Sequence, residues 1–222
     1  MNDDGIAARV AARYPTHFLR SYVRTKVRTD PVYRAALENL RDVHTPILDL
    51  GCGAGVLAFF LREHGLTVPI EGVDHDRRKI DVAEGMVRSG EGLRFRAGDV
   101  RDESGFAGSV VLLDVLHYFT ADEQSRILRS VAGSVPPGGV AILRDAIRDH
   151  SWRFRVTWLA ETFARAVRWL RAERLEFPTL ESISRMFPDE QFTRTVQPLW
   201  GRTPFNNYLL VFKRSSDGMM NE

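Results

Sequence analysis

Apolar and polar positions follow two periods along the chain, and these periods alternate through its middle section. Five short apolar runs have the length and composition of buried strands: 46–50, 69–74, 93–97, 109–114 and 140–144. Amphipathic stretches between them predict helices at about 55–64, 77–88 and 121–133. Strands that alternate with helices in this way predict an α/β fold with a doubly wound parallel sheet.

Two local features sharpen this prediction. The run at 109–114 is the most apolar of the five, so we expect it at the centre of the sheet. Thr120 and Glu123 have the spacing of a capping box, which places a helix start at residue 121.

The segments on either side of this middle section differ from it in composition and in predicted secondary structure. Residues 1–45 are helical and basic, and we interpret them as a cap on a main domain at 46–222. Within this cap, residues 16–28 carry four Arg or Lys residues and no acidic one, with Phe18, Tyr22 and Val23 on one helical stripe. This segment is interpreted either as a lid over a ligand or as a packing helix with a solvated face.

A basic amphipathic helix is predicted at about 152–175, followed by strands at 191–199 and 207–213. Apolar residues recur along it at helical spacing: Trp152, Val156, Leu159, Phe163, Val167 and Leu170. Trp158 and Trp169 define a second face, beside several arginines. The helix either packs in the core with a solvated basic face, or forms a pocket wall that docks an acidic carrier protein or an anionic membrane surface.

Composition excludes several classes of protein. The chain has 222 residues, 44% apolar and 27% charged, which is typical of one globular domain and not of a disordered chain. Its single cysteine, Cys52, excludes a disulfide framework and a multi-cysteine zinc site, and we predict no metal. No apolar run approaches a transmembrane length and the N-terminus lacks signal-peptide features, so we expect a soluble cytoplasmic protein. The net charge of +2 gives little support to nucleic-acid binding.

Chemically notable residues fall where the predicted strands end, the edge at which parallel sheets bind ligands. These residues are Asp49, Asp74, Asp99, Asp114, His117, Arg144 and Asp145. Taken singly, each acid also has a structural interpretation: Asp49 as the cap of a turn, Asp74 as the N-cap of a helix and Asp99 as a turn residue. Their placement at consecutive strand ends favours a shared ligand site.

The loop after the first strand reads Gly-Cys-Gly-Ala-Gly at 51–55. It is one residue shorter than a dinucleotide fingerprint and lacks the Gly-Lys-Ser/Thr ending of a phosphate loop. Asp74 ends the next strand, 19 residues beyond Gly55, where an acid typically binds ribose hydroxyls. Cys52 is a small thiol in a packed turn, so its side chain is expected to be structural.

At five places in order the sequence resembles class I S-adenosylmethionine (SAM)-dependent methyltransferases. The matching segments are ILDLGCGAG at 47–55, GVD at 72–74, AGDV at 97–100, LDVLHY at 113–118 and VPPGG at 135–139. The resemblance implies a Rossmann-like seven-stranded sheet of order 3-2-1-4-5-7-6, with the last strand antiparallel and helices on both faces. It also implies that the cofactor is SAM, with S-adenosylhomocysteine as its product.

The same resemblance assigns roles along the rim. Asp74 would bind the ribose, Asp99 and Val100 the adenine, and the segment after the fourth strand would face the methionine end. The implied cofactor-binding residues are Asp49, Gly51, Cys52, Gly53, Gly55, Asp74, His75, Asp99, Val100, Asp114 and Val115.

His117 is the candidate general base, because histidine accepts a proton near neutral pH and this one lies beside the expected methyl group. The alternative is a structural histidine. Tyr118 either orients the substrate or packs in the core, and Arg144 and Asp145 either grip an anionic group or pair with each other. The candidate catalytic residues are His117 and Tyr118, and the candidate substrate-binding residues are Tyr22, Arg144, Trp152, Trp158 and Asn206.

The acceptor is predicted to be a small molecule. The C-terminal half is also similar to methyltransferases of bacterial aryl-polyene and related fatty-acid-like pathways, which implies secondary metabolism. It further implies a hydroxyaryl acid, or its thioester on an acyl carrier protein, as acceptor. Two alternatives are an RNA or protein methyltransferase and a non-catalytic partner protein on the same scaffold. Residues 114–117 read Asp-Val-Leu-His and not Asn-Pro-Pro-Tyr, which argues against methylation of nucleic-acid bases.

Overall fold

The computed structural model describes residues 3–166, 175–201 and 203–216. The strands are β1 Ile47–Leu50, β2 Ile70–Asp74, β3 Leu93–Ala97, β4 Ser109–Leu113, β5 Val140–Ala146, β6 Phe192–Pro198 and β7 Asn207–Arg214. The helices are α1 Asp3–Ala12, α2 His17–Thr29, α3 Val32–Leu40, α4 Val56–Glu63, α5 Arg77–Glu84, α6 Ala121–Ser134, α7 Trp152–Ala166 and α8 Leu180–Ser184. Single 3₁₀ turns follow β3 and β4.

The strands form one sheet of order β3-β2-β1-β4-β5-β7-β6. β1 to β5 are mutually parallel, and β7 runs antiparallel to both β5 and β6. The order implied by the family resemblance is therefore confirmed, as is the central position of β4. All five parallel strands end at one edge of the sheet, which we call the rim. At this rim Asp74 pairs with Ala97, and Leu113 pairs with Arg144.

Helices cover both faces of the sheet because its central strands are apolar on both sides. Every residue of β1 and β5 is buried. One core contains apolar side chains of α1, α3, α4 and α5, and the other contains those of α6 and α8. The capping box at Thr120 and Glu123 is present and starts α6 at the predicted residue.

The N-terminal helices differ in how deeply they are buried. Ile6 and Val10 of α1 and Leu40 of α3 lie in the core, whereas Val23 is the one fully buried residue of α2. Phe18 of α2 is 78% exposed. Division into a cap at 1–45 and a domain at 46–222 stays a prediction. In the described part of the chain, no helix is long and apolar enough to cross a membrane.

The orientation of α7 argues against one of its two predicted alternatives, the core helix. Trp152 and Leu159, two members of the predicted apolar stripe, are 60% and 64% exposed. The opposite face is anchored instead: Thr157 Oγ1 accepts a hydrogen bond from the Asn206 N–H at 2.8 Å, and Phe154 packs edge-on against Phe177. The side chains beyond residue 162 in the predicted stripe (Phe163, Val167 and Leu170), together with Trp169, lie outside the described residues.

Candidate functional site

The turn between β1 and α4 is built on glycines. Gly51, Gly53 and Gly55 all have positive φ, a conformation that costs other residues strain. A Cβ on Gly51 would lie 2.3 Å from Val115 Cγ2, and one on Gly55 would lie 2.7 Å from Phe95 Cζ. A Cβ on Gly53 would meet no atom within 4 Å. The outer two glycines therefore allow close packing, whereas Gly53 leaves an open cradle on the turn.

Asp74 closes this turn from the neighbouring strand. Its Oδ2 accepts a hydrogen bond from the Gly53 N–H, and its Oδ1 accepts one from the Asp76 N–H, both at 2.8 Å. Asp76, not Asp74, is the N-cap of α5, so the simple capping role considered for Asp74 is wrong. The carboxylate is thus oriented at the strand end by two backbone groups.

Asp49 lies below the same turn and is buried. Burial, and then the negative charge of Asp74, raises the pKa of Asp49 to about 7. Two acids so close together, with no cation paired to Asp49 among the described residues, favour binding of a positively charged group. Cys52 beside them is a packing residue, since a Cβ on Gly72 would lie 2.8 Å from its Sγ. Burial raises the pKa of the Cys52 thiol.

The third strand end has a more exposed acid. Asp99 is the N-cap of the 3₁₀ turn at 100–102 and accepts a hydrogen bond from the Arg101 N–H at 2.9 Å. The hydrogen bond from the Arg101 side chain lowers the pKa of Asp99. Val100 is buried, and His75 is exposed with its Nδ1 3.5 Å from Asp74 Oδ1.

Beyond β4 the chain makes a strained turn at Asp114. Its φ of 57° is the one positive value at a non-glycine residue in the described parts of the chain. The Asp114 N–H donates to the Arg144 carbonyl at 2.7 Å, and the Arg144 guanidinium donates to the Asp114 carboxylate. A second guanidinium nitrogen lies 2.6 Å from Asp30 Oδ1, at the junction of α2 and α3. Arg144 therefore joins the N-terminal helices to the strand rim.

His117 and Asp145 form a buried pair at the same edge. His117 Nδ1 lies 2.7 Å from Asp145 Oδ1, and Asp145 also accepts hydrogen bonds from the Leu116 and Ala146 N–H groups at 2.8 Å each. His117 is 5% exposed, and its ring stacks on Phe177 at a centroid distance of 5.6 Å. Its other nitrogen, Nε2, has no hydrogen-bond partner among the described residues.

The electrostatics of this pair suit proton transfer. Burial alone would lower the pKa of His117, but the charge and hydrogen bond of Asp145, helped by Asp114 and Glu161, outweigh it. The pKa of His117 is therefore raised above its usual value. Because Asp145 fixes the proton on Nδ1, Nε2 is left as the proton acceptor. Arg144 and Asp145 do not pair with each other: Arg144 binds Asp114, and Asp145 binds His117.

Two members of this cluster were not singled out as site residues from the sequence. Phe177 stacks on His117 from the segment before α8, and Glu161 lies on α7, where its charge acts on His117. Glu161 and His117 influence each other's pKa, which shows that they lie in one electrostatic environment. Little in the sequence pointed to Glu161, because an acidic residue in a basic helix is typical of a solvated helix face. Nothing local marks Phe177.

Comparison with known proteins identifies the family. The family model described as methyltransferase domain matches residues 19–196, well over half of the chain. This chain belongs to that family of methyltransferases. The family uses SAM as methyl donor, so SAM is the cofactor of this enzyme.

Individual relatives are more distant. The cypemycin N-terminal methyltransferase of a Streptomyces species is 38% identical over 103 residues, 44% of this chain and 40% of that protein. The ubiquinone biosynthesis O-methyltransferase of Agrobacterium fabrum is 26% identical over 215 residues, 89% of this chain and 81% of that protein. The first match thus spans well under two thirds of its relative's length.

A solved structure shares the fold. The magnesium protoporphyrin IX methyltransferase of Synechocystis PCC 6803, with bound S-adenosylhomocysteine, superposes with a TM-score of 0.66. The match covers 95% of this chain and 94% of that one at 17% identity.

The residues at the rim of this methyltransferase fit SAM. Gly53 leaves open space for a ligand, and the oriented Asp74 carboxylate beside it suits a pair of ribose hydroxyls. Asp49 lies beside Asp74 with no cation paired to it among the described residues, which suits the cationic amino group of the methionine portion. Among the described residues, no group of three or more His, Cys, Asp or Glu side chains could hold a metal ion.

The predicted substrate-binding residues of the methyltransferase differ in how exposed they are and in whether their polar groups already have partners. Tyr22 lines a groove of about 340 Å³ along α2, and Trp152 and Trp158 are more than half exposed. Asn206 is fully buried, and its amide donates to the Ile147 carbonyl and to Asp149. The Arg144 charge is shared by two carboxylates. Substrate contact by all five residues stays a prediction.

Proposed function

We propose that this methyltransferase acts on a small-molecule acceptor bearing a hydroxyl group, and that His117 removes the proton of that hydroxyl. One observation carries the proposal: a buried histidine whose Nδ1 is held by a buried carboxylate and whose Nε2 has no partner among the described residues. A structural histidine of equal burial would be expected to use both nitrogens, because an unpaired buried polar atom costs free energy.

Each group has a defined part in the proton transfer. Bound SAM supplies an electrophilic methyl group on a sulfonium sulfur. His117 Nε2 accepts the hydroxyl proton as the oxygen becomes nucleophilic, and Asp145 stabilises the resulting imidazolium. Phe177 and Tyr118 pack around the imidazole and limit its contact with water. Burial raises the pKa of Tyr118, so its phenol stays protonated and serves to orient the acceptor.

The cofactor is proposed to lie along the ends of β1 to β4. Asp74, with His75 at its side, would hold the ribose, and Asp99 and Val100 the adenine. The floor of the cofactor site would be formed by the turn residues Gly51, Cys52, Gly53 and Gly55. The methionine portion would lie against Asp49, Asp114 and Val115. Asp114 is well suited to this place because Arg144 fixes its carboxylate and its side chain stays partly exposed.

The proposed acceptor is a hydroxyaryl acid or its thioester on an acyl carrier protein, in secondary metabolism. A relative named as an O-methyltransferase of ubiquinone biosynthesis supports a hydroxyl acceptor. Another, named for the natural product cypemycin, supports secondary metabolism. The exposed aromatic side chains of α2 and α7 offer apolar surface for such an acceptor.

Mass spectrometry of paired acceptors tests the proposal. The protein is incubated with SAM and free hydroxyaryl acids, and separately with the same acids loaded on an acyl carrier protein. A gain of one methyl group on oxygen in either set supports the proposal. Binding of S-adenosylhomocysteine without any methylated product would contradict this acceptor class and direct the search to RNA and protein acceptors.

A further inference from the structure

The corner between α1 and α2 (residues 13–16) contacts the glycine turn at 51–55. Tyr14, in this corner, is fully buried, and its hydroxyl donates a hydrogen bond to the Ala54 carbonyl at 2.9 Å. Its ring packs edge-on against Phe59 of α4, with ring centroids 6.3 Å apart. Burial raises the pKa of Tyr14, so the phenol stays protonated and remains a donor. The corner therefore reaches the turn through a polar contact as well as through packing.

The position of Tyr14 is itself fixed by its neighbours in the sequence. The Arg13 side chain is 4% exposed and forms ion pairs with Glu63 at 2.8 Å and with Glu91 at 2.7 Å. Glu63 is the last residue of α4, the helix that begins at the glycine turn. On the other side, Arg20 Nε of α2 donates to the Tyr14 carbonyl at 2.6 Å. The Tyr14 hydroxyl is therefore presented to the turn from a rigid corner.

The glycine turn needs such a contact, because its own residues restrict it little. Ala54 lies between Gly53 and Gly55, whose φ angles are 57° and 73°. Glycine adopts either sign of φ at low cost, so the peptide groups beside Ala54 could take more than one orientation. In the structure, the peptide group from Ala54 to Gly55 is held on both sides. Its carbonyl accepts from Tyr14, 40 residues away in the sequence, and its N–H donates to the Cys52 carbonyl at 3.0 Å.

We propose that Tyr14 is a positioning residue for the cofactor: its hydroxyl holds the glycine turn in the conformation that binds SAM. A turn that is ordered in advance loses less conformational freedom when the ligand binds, so the affinity is higher. The N-terminal helices then contribute to cofactor affinity in addition to covering the core. This inference rests on the proposed function, which places the cofactor on this turn.

Tyr14→Phe tests the inference, because it removes the hydroxyl and keeps the ring that packs on Phe59. We expect S-adenosylhomocysteine to bind about 3- to 10-fold more weakly in calorimetry, the factor that corresponds to one neutral hydrogen bond. In the free enzyme, amide hydrogen exchange of residues 51–55 should be faster in the variant than in the native protein. This difference should shrink when S-adenosylhomocysteine saturates the enzyme, since the ligand then orders the turn.

Tyr33→Phe is the matched control. Tyr33 is also a buried tyrosine of the N-terminal helices, and it packs on Phe60 of the same helix α4 with ring centroids 5.6 Å apart. Within the described residues, its hydroxyl makes no hydrogen bond to the glycine turn. Tyr33→Phe should therefore keep native affinity and native exchange in the turn. Urea unfolding of both variants separates stability from affinity, because a merely structural Tyr14 would lower the free energy of unfolding and leave the affinity native.

Two results would overturn the inference: affinity of Tyr14→Phe within about twofold of native, or an equal loss of affinity in Tyr14→Phe and Tyr33→Phe. Asp74→Ala, measured in the same series, identifies which claim has failed. Loss of affinity in Asp74→Ala with native affinity in Tyr14→Phe would contradict the role of Tyr14 alone. Native affinity in both variants would also contradict the placement of the cofactor on this turn.

Discussion

The two ends of the strand rim hold their carboxylates in different ways. At the proposed cofactor end, Asp74 is oriented by backbone N–H groups of Gly53 and Asp76, which lie 21 and 2 residues away along the chain. At the proposed acceptor end, partners come from far apart in the sequence: His117 and Asp145 are separated by 28 residues, and Asp30 and Arg144 by 114.

This difference has a physical origin. A turn that brings the backbone close to a ligand restricts which residue types can occupy it, so it can be recognised from a short sequence motif. A base and a carboxylate that are far apart in the sequence meet only once the sheet is assembled, so no short motif marks the pair. The cofactor end is therefore set by local chemistry and the acceptor end by tertiary structure. Variants at each end should separate cofactor binding from turnover.

The largest effect is expected at His117. His117→Ala removes the proposed base, and we expect kcat to fall by about 10²- to 10⁴-fold, the usual contribution of a positioned base. Affinity for S-adenosylhomocysteine should change by less than about twofold, because His117 lies outside the cofactor end. Turnover is measured as product formation, and binding by calorimetry. His44→Ala, at an exposed position, serves as control. Full activity of His117→Ala would rule out the base.

The next effect is expected at Asp74. Asp74→Ala removes the acceptor of the Gly53 N–H and the proposed ribose ligand, which should weaken binding of S-adenosylhomocysteine by about 100-fold. Asp81→Ala, an exposed acid on α5, should bind normally. If Asp74→Ala kept near-native affinity in calorimetry, the cofactor would not lie against this strand end.

A smaller effect is expected where the N-terminal helices meet the rim. Asp30→Asn weakens the contact with the buried Arg144 guanidinium, and we expect the free energy of unfolding to fall by about 1–3 kcal/mol. The measurement is urea unfolding, with the exposed Asp42→Asn as control. Equal stability of the two variants would mean that Asp114 alone is sufficient to hold Arg144.

The smallest effect is expected at Cys52. Its thiol packs in the turn and has a raised pKa, so Cys52→Ala should change affinity for S-adenosylhomocysteine by less than about threefold. The native thiol should also resist alkylation at pH 8, because little thiolate is present. A tenfold loss of affinity would show instead that the Cys52 side chain contacts the cofactor.

Much of the fold was predictable from the sequence because its signals are local and repeated. β3 begins and ends at the predicted residues, and the capping box at Thr120 starts α6 as expected. The order of the last two strands was not accessible from periodicity. It came from the family resemblance, since nothing in the segments at 192–198 and 207–214 specifies which neighbour each strand pairs with.

The acceptor end was only partly predictable. His117 and Arg144 were marked by their position at strand ends, but the partners of Arg144 depend on how α2 and α3 approach the rim. The sequence leaves the orientation of α7 open between a core helix and a pocket wall, and the exposure of Trp152 and Leu159 argues against the core helix. Its anchoring includes a hydrogen bond between Thr157 and Asn206, residues 49 positions apart, and the packing of Phe154 on Phe177.

The pH dependence of methyl transfer tests the central claim, that Asp145 holds His117 as the base. A base must be neutral, so the single-turnover rate should fall as pH decreases through the raised pKa of His117, with a midpoint above the usual histidine value of about 6.5. Burial lowers the pKa of His117, and Asp145 is the main group that raises it. Asp145→Asn removes that charge, so the pKa of His117 should fall, although Asp114 and Glu161 still raise it.

The account predicts that the Asp145→Asn midpoint shifts to lower pH and the plateau rate falls by about tenfold or more, while S-adenosylhomocysteine still binds. An unchanged midpoint in a variant that binds S-adenosylhomocysteine normally would contradict the account, because the titrating group would then not be the histidine paired with Asp145.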